Sequence, residues 1–301
     1  MAVVAGRPHD GCMTRTSMRI WAGVIVIGLV AVVGCGFGGV ADASRADAVE
    51  GHYLALGDSF PFGYSPLLED PWIPERFVGY PEIIGQRIGM TTTNLSCPGQ
   101  TAQALISRTA VDNGCFDFRE FARDAGIDVL HTDYGGTQLD AALDAVRSDT
   151  PPTLISIQGG GNEFDMCVFD NPDPTADPEQ CLDDALPKVT ESLHQAATQL
   201  RAAGYRGRVV LVGYPLLPGF EAQMRRLNRA IERAARHPDV AFADAARPFD
   251  RYARQHHGDL CTTGLLIALP DGSCDVHPTR IGQELFANTV LEAAHRSQGR
   301  V

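Results

Sequence analysis

Four short stretches hold residue types that could do chemistry together: GDSF at 57–60, SCPGQT at 96–101, QGGGNEFD at 158–165 and DGSCDVHPTR at 271–280. Ser59 in the first is a candidate nucleophile, and His277 in the last is a candidate base. A serine hydroxyl is a poor nucleophile near neutral pH, so it needs a base within hydrogen-bond reach. The base in turn needs a group that holds its ring. If residues 274–277 form a turn, Cys274 and His277 are neighbours, and the Cys274 carbonyl can accept the imidazole N–H. If the stretch is extended, residues 275 and 277 share a face and Asp275 can serve. Each stretch alone has a plainer reading. A Gly-Asp-Ser tripeptide turns up by chance in roughly one chain in ten of this length, so it decides nothing by itself. A serine before a helix commonly caps it, and a run of glycines commonly makes a turn.

The order of elements around these stretches is more specific. YLAL (53–56), TTTNL (91–95), TLISI (153–157), RVVLVGY (208–214) and VAFAD (240–244) read as strands. Helical spacing covers 79–88, 137–147, 185–203 and 221–236, where Met224, Leu227, Ile231 and Ala235 keep one apolar face. A last helix follows Pro278, a residue suited to a first helical turn. Continuous apolar strands separated by helices predict a parallel sheet covered on both faces, a doubly wound α/β domain. Such folds carry reactive groups in loops beyond the C-terminal ends of their strands. Ser59, Gly99 and Asn162 each follow a strand, and His277 opens the last helix. No G-x-G-x-x-G follows the first strand, which argues against a nucleotide- or flavin-binding use of the fold.

In this order, YLALGDSFPFGYS, NLSCPGQT, ISIQGGGNEFD and DVHPTRIGQELFAN resemble the four blocks of the SGNH hydrolases, also called GDSL esterases and lipases. VVLVGYPLL and the six-cysteine layout are similar to the disulfide-containing, secreted bacterial lipase and esterase branch. The resemblance implies a three-layer α/β/α domain on a flavodoxin-like parallel sheet of five strands. It implies ester hydrolysis without a cofactor. It also implies an oxyanion hole made by the Ser59 and Gly99 amides and the Asn162 side chain. Two positions depart from the family pattern. Glu163 stands where an aspartate usually follows the asparagine. Cys274 stands where Asp-x-x-His-Pro has its aspartate, so Asp275 is expected to contribute only modestly. Asp58 reads as an acceptor that fixes the loop, and His256 and His257 as scaffold or a cleft rim. The segment from Phe60 to Phe77 suits an acyl pocket and a packed surface loop equally. The expected substrates are medium or long acyl esters, small or lipid. Polysaccharide O-acetyl groups are the alternative, and an inactive anchored binding protein is the reading outside enzymes.

Composition sets the remaining bounds. The 301 residues are 44% apolar and 21% charged, which suits one catalytic domain at 50–299 with an N-terminal appendage. A net charge of −12 repels polyanions and argues against a nucleic-acid partner. Residues 1–43 hold Arg7, Arg15 and Arg19, then an uncharged run from Ile20 to Val40, which reads as an export segment. It suits a cleaved signal ending at ADA (41–43), a lipoprotein signal with Cys35 lipidated in VVGC, or a retained anchor. Removing residues 1–34, with three Arg and one Asp, takes the charge to −14. Cys97, Cys115, Cys167, Cys181, Cys261 and Cys274 lie beyond this segment, and an even number there fits disulfides in an oxidising compartment. Six cysteines allow about 15 connectivities. Pairing of neighbours is expected, because each pair closes one short loop, stabilising by about 3 kcal/mol. No C-x-x-C or His-rich pair points to a metal. A monomer is expected.

Overall fold

The computed structural model describes residues 51–68, 73–169, 177–237 and 239–296. The export segment at 1–43, with Cys35, lies outside the described residues. Five parallel strands form the main sheet: β1 (His52–Gly57), β2 (Thr91–Asn94), β3 (Leu154–Gln158), β4 (Arg208–Val212) and β5 (Val240–Ala243). Their order is β2-β1-β3-β4-β5, the flavodoxin-like arrangement. Leu56 pairs with Ile157 and Gly57 with Gln158, so β1 and β3 end side by side. The central strands are buried along their length because helices cover both faces, which is why they read as unbroken apolar runs.

On one face, α2 (Tyr80–Ile88) packs against α9 (Arg280–Arg296), with α8 (Ala246–Gln255) beside it. On the other, α6 (Pro178–Ala202) packs against α4 (Gln138–Val146), α5 (Gly161–Val168) and α7 (Glu221–Ala234). Local chemistry fixes where these helices begin. Thr137 caps α4, with its hydroxyl accepting from Asp140 N (3.0 Å) while Asp140 accepts from Thr137 N (2.9 Å). In α7, Met224, Leu227 and Ile231 turn to the core as their spacing predicts.

Several elements differ from the sequence reading. Helix α6 begins at Pro178 rather than at 185, because Asp177 accepts from Glu179 N (3.0 Å) and Pro178 fits the first turn. Pro187 sits inside this helix, at the cost of one backbone hydrogen bond. The glycine run bends at Gly160 (φ +112°), and GNEFDMCV after it is helix α5; α1 (Ser59–Phe62), α3 (Cys115–Ala125) and α8 are likewise additional. The DGSCDVHPTR stretch is extended at its centre rather than turned. Its residues Cys274–Pro278 form strand β7, paired antiparallel with β6 (Leu266–Ala268), so Pro278 closes a strand and α9 starts at Arg280. Disulfides join Cys97 to Cys115, Cys167 to Cys181 and Cys261 to Cys274, the pairing of neighbours. Among the described residues no helix is long and apolar enough to cross a membrane.

Candidate active site

The turn after β1 is built around one glycine. Gly57 has φ +149°, and a Cβ there would lie 2.4 Å from the Gln158 carbonyl oxygen. Gln138 clamps the same residue, accepting from Gly57 N (2.7 Å) and donating to Gly57 O (2.8 Å). The chain can therefore leave the strand sharply into α1. Asp58, not the serine, caps this single turn, accepting from Phe60 N through Oδ1 (3.0 Å). Its Oδ2 accepts from the Tyr214 hydroxyl (2.5 Å). Burial pushes the Asp58 carboxyl up to about 6, against the pull of the Tyr214 and Phe60 donors. With the cap supplied by Asp58, Ser59 is left facing the space above the sheet.

His277 Nε2 lies 2.8 Å from Ser59 Oγ, and its Nδ1 lies 2.6 Å from Asp275 Oδ1. The same carboxylate oxygen accepts from the His277 backbone N–H (2.8 Å). Because β7 is extended, residues 275 and 277 project to one side. The structure thus puts Asp275, rather than the Cys274 carbonyl, on the imidazole. The expectation of a modest Asp275 contribution depends on a turn that the β6–β7 pairing excludes. Burial alone pushes the Asp275 carboxyl up, but its bond to the imidazole, that ring's charge and the His277 amide outweigh it. The carboxyl is held below its ordinary value.

Opposite the histidine stand the groups that could meet a developing negative charge. Gly99 has φ +83°, and a Cβ there would lie 2.3 Å from the Asn113 carbonyl oxygen, so only glycine fits the bend. The Cys97–Cys115 bridge closes this loop. Asn162 lies in the first turn of α5, buried, and donates one Nδ2 hydrogen to Gln100 O (2.9 Å). Ser59, Gly99, Asn162 and His277 line one cavity of about 320 Å³. Its apolar wall includes Phe164, Phe169, Leu217 and Met224, and Asn113 and Asp165 make a polar corner. The Phe60–Phe77 segment divides. Phe60 and Tyr64 line the cavity, whereas Phe62 and Phe77 are buried against each other, with ring centroids 5.0 Å apart. His256 stacks on Tyr252 (3.9 Å) and is exposed, and neither it nor His257 lines the cavity.

Glu163 shows what the longer side chain does. Its Oε1 accepts from Ala102 N (2.7 Å) and Gln103 N (3.3 Å), pinning the loop that follows Gly99. Its Oε2 is buried without a partner. Burial pushes the carboxyl up to about 7, although the loop amides pull the other way. A carboxyl raised on folding means that the native protein binds more protons than the unfolded chain between its two values. Unfolding free energy therefore falls as pH rises from about 4.5 to about 7 and levels off above that. The Glu163→Gln variant is expected to keep the loop contacts and lose this share of the slope, about 3 kcal/mol at most at one unit per 1.4 kcal/mol. Thermal unfolding of both proteins from pH 4.5 to 8 checks it. Parallel Tm-against-pH curves would show that Glu163 does not titrate in that window.

Tyr214, Asn113 and Gln138 have contacts at this site that the residue pattern did not single out. Tyr214 at least follows a strand, within a stretch similar to the family. Asn113 sits in a loop between Ile106 and Cys115 with no periodicity to mark it.

The sequence matches the GDSL-like Lipase/Acylhydrolase family over residues 55–285. Among solved structures, a phospholipase A1 from Streptomyces albidoflavus is similar at 18% identity and TM-score 0.51, covering 81% of this chain and 99% of its own. An acetylxylan esterase from Geobacillus stearothermophilus gives 14% identity and TM-score 0.48, over 81% and 94% of the two chains. A lipase from a goat rumen metagenome gives 16% and 0.49, over 81% and 96%. The first of these likenesses shows a shared fold. No curated protein matches the sequence.

Proposed function

Since the chain belongs to the GDSL-like lipase/acylhydrolase family and is a carboxylic ester hydrolase, we propose that Ser59 is its nucleophile and His277 its base. Ser59 Oγ attacks the ester carbonyl carbon as His277 Nε2 takes its proton. Asp275 holds the ring in the tautomer that can accept there and stabilises the imidazolium that forms. The carbonyl oxygen gains charge and is met by the Ser59 and Gly99 amides and the second Nδ2 hydrogen of Asn162. His277 then gives its proton to the leaving alkoxide. Water, deprotonated by the same imidazole, releases the acid from the acyl-enzyme. The observation that carries this reading is the hydrogen-bonded chain Ser59–His277–Asp275 opening on an apolar cavity.

The cavity also bears on substrate. Phe164, Phe169, Leu217 and Met224 give an acyl chain a wall that an acetyl group would leave unused. We therefore assign medium-chain acyl esters as the preferred class. The polar corner at Asn113 and Asp165 favours a second reading, removal of acetyl groups from a hydroxylated polymer. Nitrophenyl esters from acetate to decanoate separate the two. At about 0.8 kcal/mol per buried methylene, kcat/KM should rise about fourfold per carbon until the wall ends. A maximum at acetate would favour the deacetylase. A fluorophosphonate should label Ser59, and peptide mass analysis that finds the label elsewhere would remove Ser59 from the nucleophile position. The hydrolase domain is assigned to 50–299. It is taken to be monomeric and exported, with its three disulfides formed in an oxidising compartment.

A further inference from the structure

Asn162 can meet an oxyanion only if its amino group, and not its carbonyl oxygen, faces the reacting centre. The two ends of a carboxamide are nearly the same size, so packing alone does not choose between them. Hydrogen bonding does. The Gln100 backbone carbonyl can only accept, and it lies 2.9 Å from Asn162 Nδ2, which places the amino end there. Asn162 Oδ1 then points the other way and needs a donor. Asn113 supplies it, with Nδ2 at 3.2 Å. The remaining hydrogen of the same Asn113 amino group goes to Asp165 Oδ2 at 2.9 Å. Asp165 is one helical turn from Asn162 in its spacing, on the same short helix α5.

The backbone of Asn113 belongs to the same arrangement. Its N–H donates to Gly99 O (2.8 Å), and its carbonyl oxygen fills the space where a Gly99 side chain would stand. The residue also lines the cavity with Ser59 and His277. One side chain and its own peptide thus touch both the glycine and the asparagine of the oxyanion site, which come from different strand ends. The loop that carries it is closed two residues later by Cys115.

From this geometry we infer that Asn113 is a positioning residue for the oxyanion hole, setting the orientation of the Asn162 amide through an Asp165–Asn113–Asn162–Gln100 hydrogen-bond chain. The inference rests on the proposed role of Asn162. Turning the Asn162 amide over would set its oxygen against both the Gln100 carbonyl and the developing oxyanion, and would break both bonds. Removing the Asn113 donor takes away one of the two restraints. Replacing it with a carboxylate sets acceptor against acceptor at Asn162 Oδ1, so the correct orientation is disfavoured outright.

The test is a double-mutant cycle read in kcat and KM. Loss of an oxyanion donor costs about 10² to 10³ in turnover, so Asn162→Ala should lower kcat by that factor. Asn113→Ala should lower kcat about tenfold, and Asn113→Asp about as much as Asn162→Ala, both with KM nearly unchanged, because the lost interaction belongs to the transition state. In the Asn162→Ala background, Asn113→Asp should cost less than about twofold, since no amide remains to orient. Equal losses in both backgrounds would overturn the inference, as would unaltered turnover in both Asn113 variants. Thermal unfolding separates a folding defect from a catalytic one, and Asn113→Ala, which adds no charge beside Asp165, remains informative if Asn113→Asp fails to fold. An unaltered kcat in Asn162→Ala would remove the oxyanion assignment and this inference together, leaving the Ser59–His277 reading intact.

Discussion

Ester hydrolysis by the Ser59→Ala enzyme is expected to fall by about 10⁶-fold in kcat, and His277→Ala should fall by about the same factor. The reason is that the two side chains act as one device. Ser59 Oγ without a base 2.8 Å away is an ordinary alcohol, and the imidazole without the serine has no proton to take. The double variant should therefore be scarcely worse than either single one, which is the signature of a unit rather than of two independent contributions. A residual rate above that of water should survive in all three, because the Gly99 amide and the Asn162 amide still meet the oxyanion of a direct attack by water. Folding should be little affected. The turn after β1 is fixed by Gly57, Gln138 and the Asp58 cap, none of which needs the serine hydroxyl. Steady-state assays on a nitrophenyl ester, with burst amplitudes to count active sites, measure the losses. Single variants that lose tenfold or less would remove the pair from the mechanism. A wild type without turnover on any ester would instead favour a binding protein that kept the fold.

The parts of this molecule that repeat were legible in its sequence, and the parts that depend on a single contact were not. The central strands β1, β3 and β4 could be read because burial on both faces demands apolar runs, the partly exposed edge strands β2 and β5 through their β-branched and apolar residues, and the sheet order follows from the family resemblance. Strand β7 was hidden for the opposite reason. It is five residues long, half exposed, and paired only with a three-residue partner, so CDVHP carries no alternation strong enough to announce a strand. Helix α5 was masked by the glycine run that leads into it, whose last member, Gly161, allows the close approach of the first turn to Tyr214, whose hydroxyl accepts from Gly161 N (3.1 Å). At the site, Ser59, Gly99, Asn162 and His277 could be named because each falls in one of the four stretches that resemble the family's blocks. Asn113 could not. Its importance lies in a distance to a residue 49 positions away, and nothing local in a loop sequence encodes that. Glu163 was visible as a departure but its direction was not. The extra methylene carries its carboxylate to the Ala102 and Gln103 amides, a contact that depends on where the neighbouring loop runs.

An Asp275→Asn enzyme should lose about 10⁴-fold in kcat, the scale for disabling the acid of a Ser–His–Asp triad, while folding normally. The chain of cause begins in the backbone. Pairing with β6 keeps residues 274–278 extended, extension puts 275 and 277 on one side, and the carboxylate then meets both the ring and the amide of His277. An asparagine can still accept from the amide, so the strand should survive the change. It can also turn its amino group to Nδ1, which would leave the imidazole proton on Nε2, facing Ser59. In that tautomer the ring has no lone pair with which to take the serine proton. The loss should therefore appear in kcat and kcat/KM alike, with substrate binding nearly unchanged, because the walls that hold the acyl chain are elsewhere. The competing arrangement gives a different result. If the Cys274 carbonyl oriented the ring, Asp275→Asn would cost a few-fold at most, and opening the Cys261–Cys274 bridge by serine substitution would become the damaging change. Measuring kcat for Asp275→Asn beside the Cys261→Ser/Cys274→Ser variant decides between a carboxylate and a peptide carbonyl as the partner of His277. The hydrogen bond of 2.6 Å from Nδ1 to Asp275 points to the carboxylate.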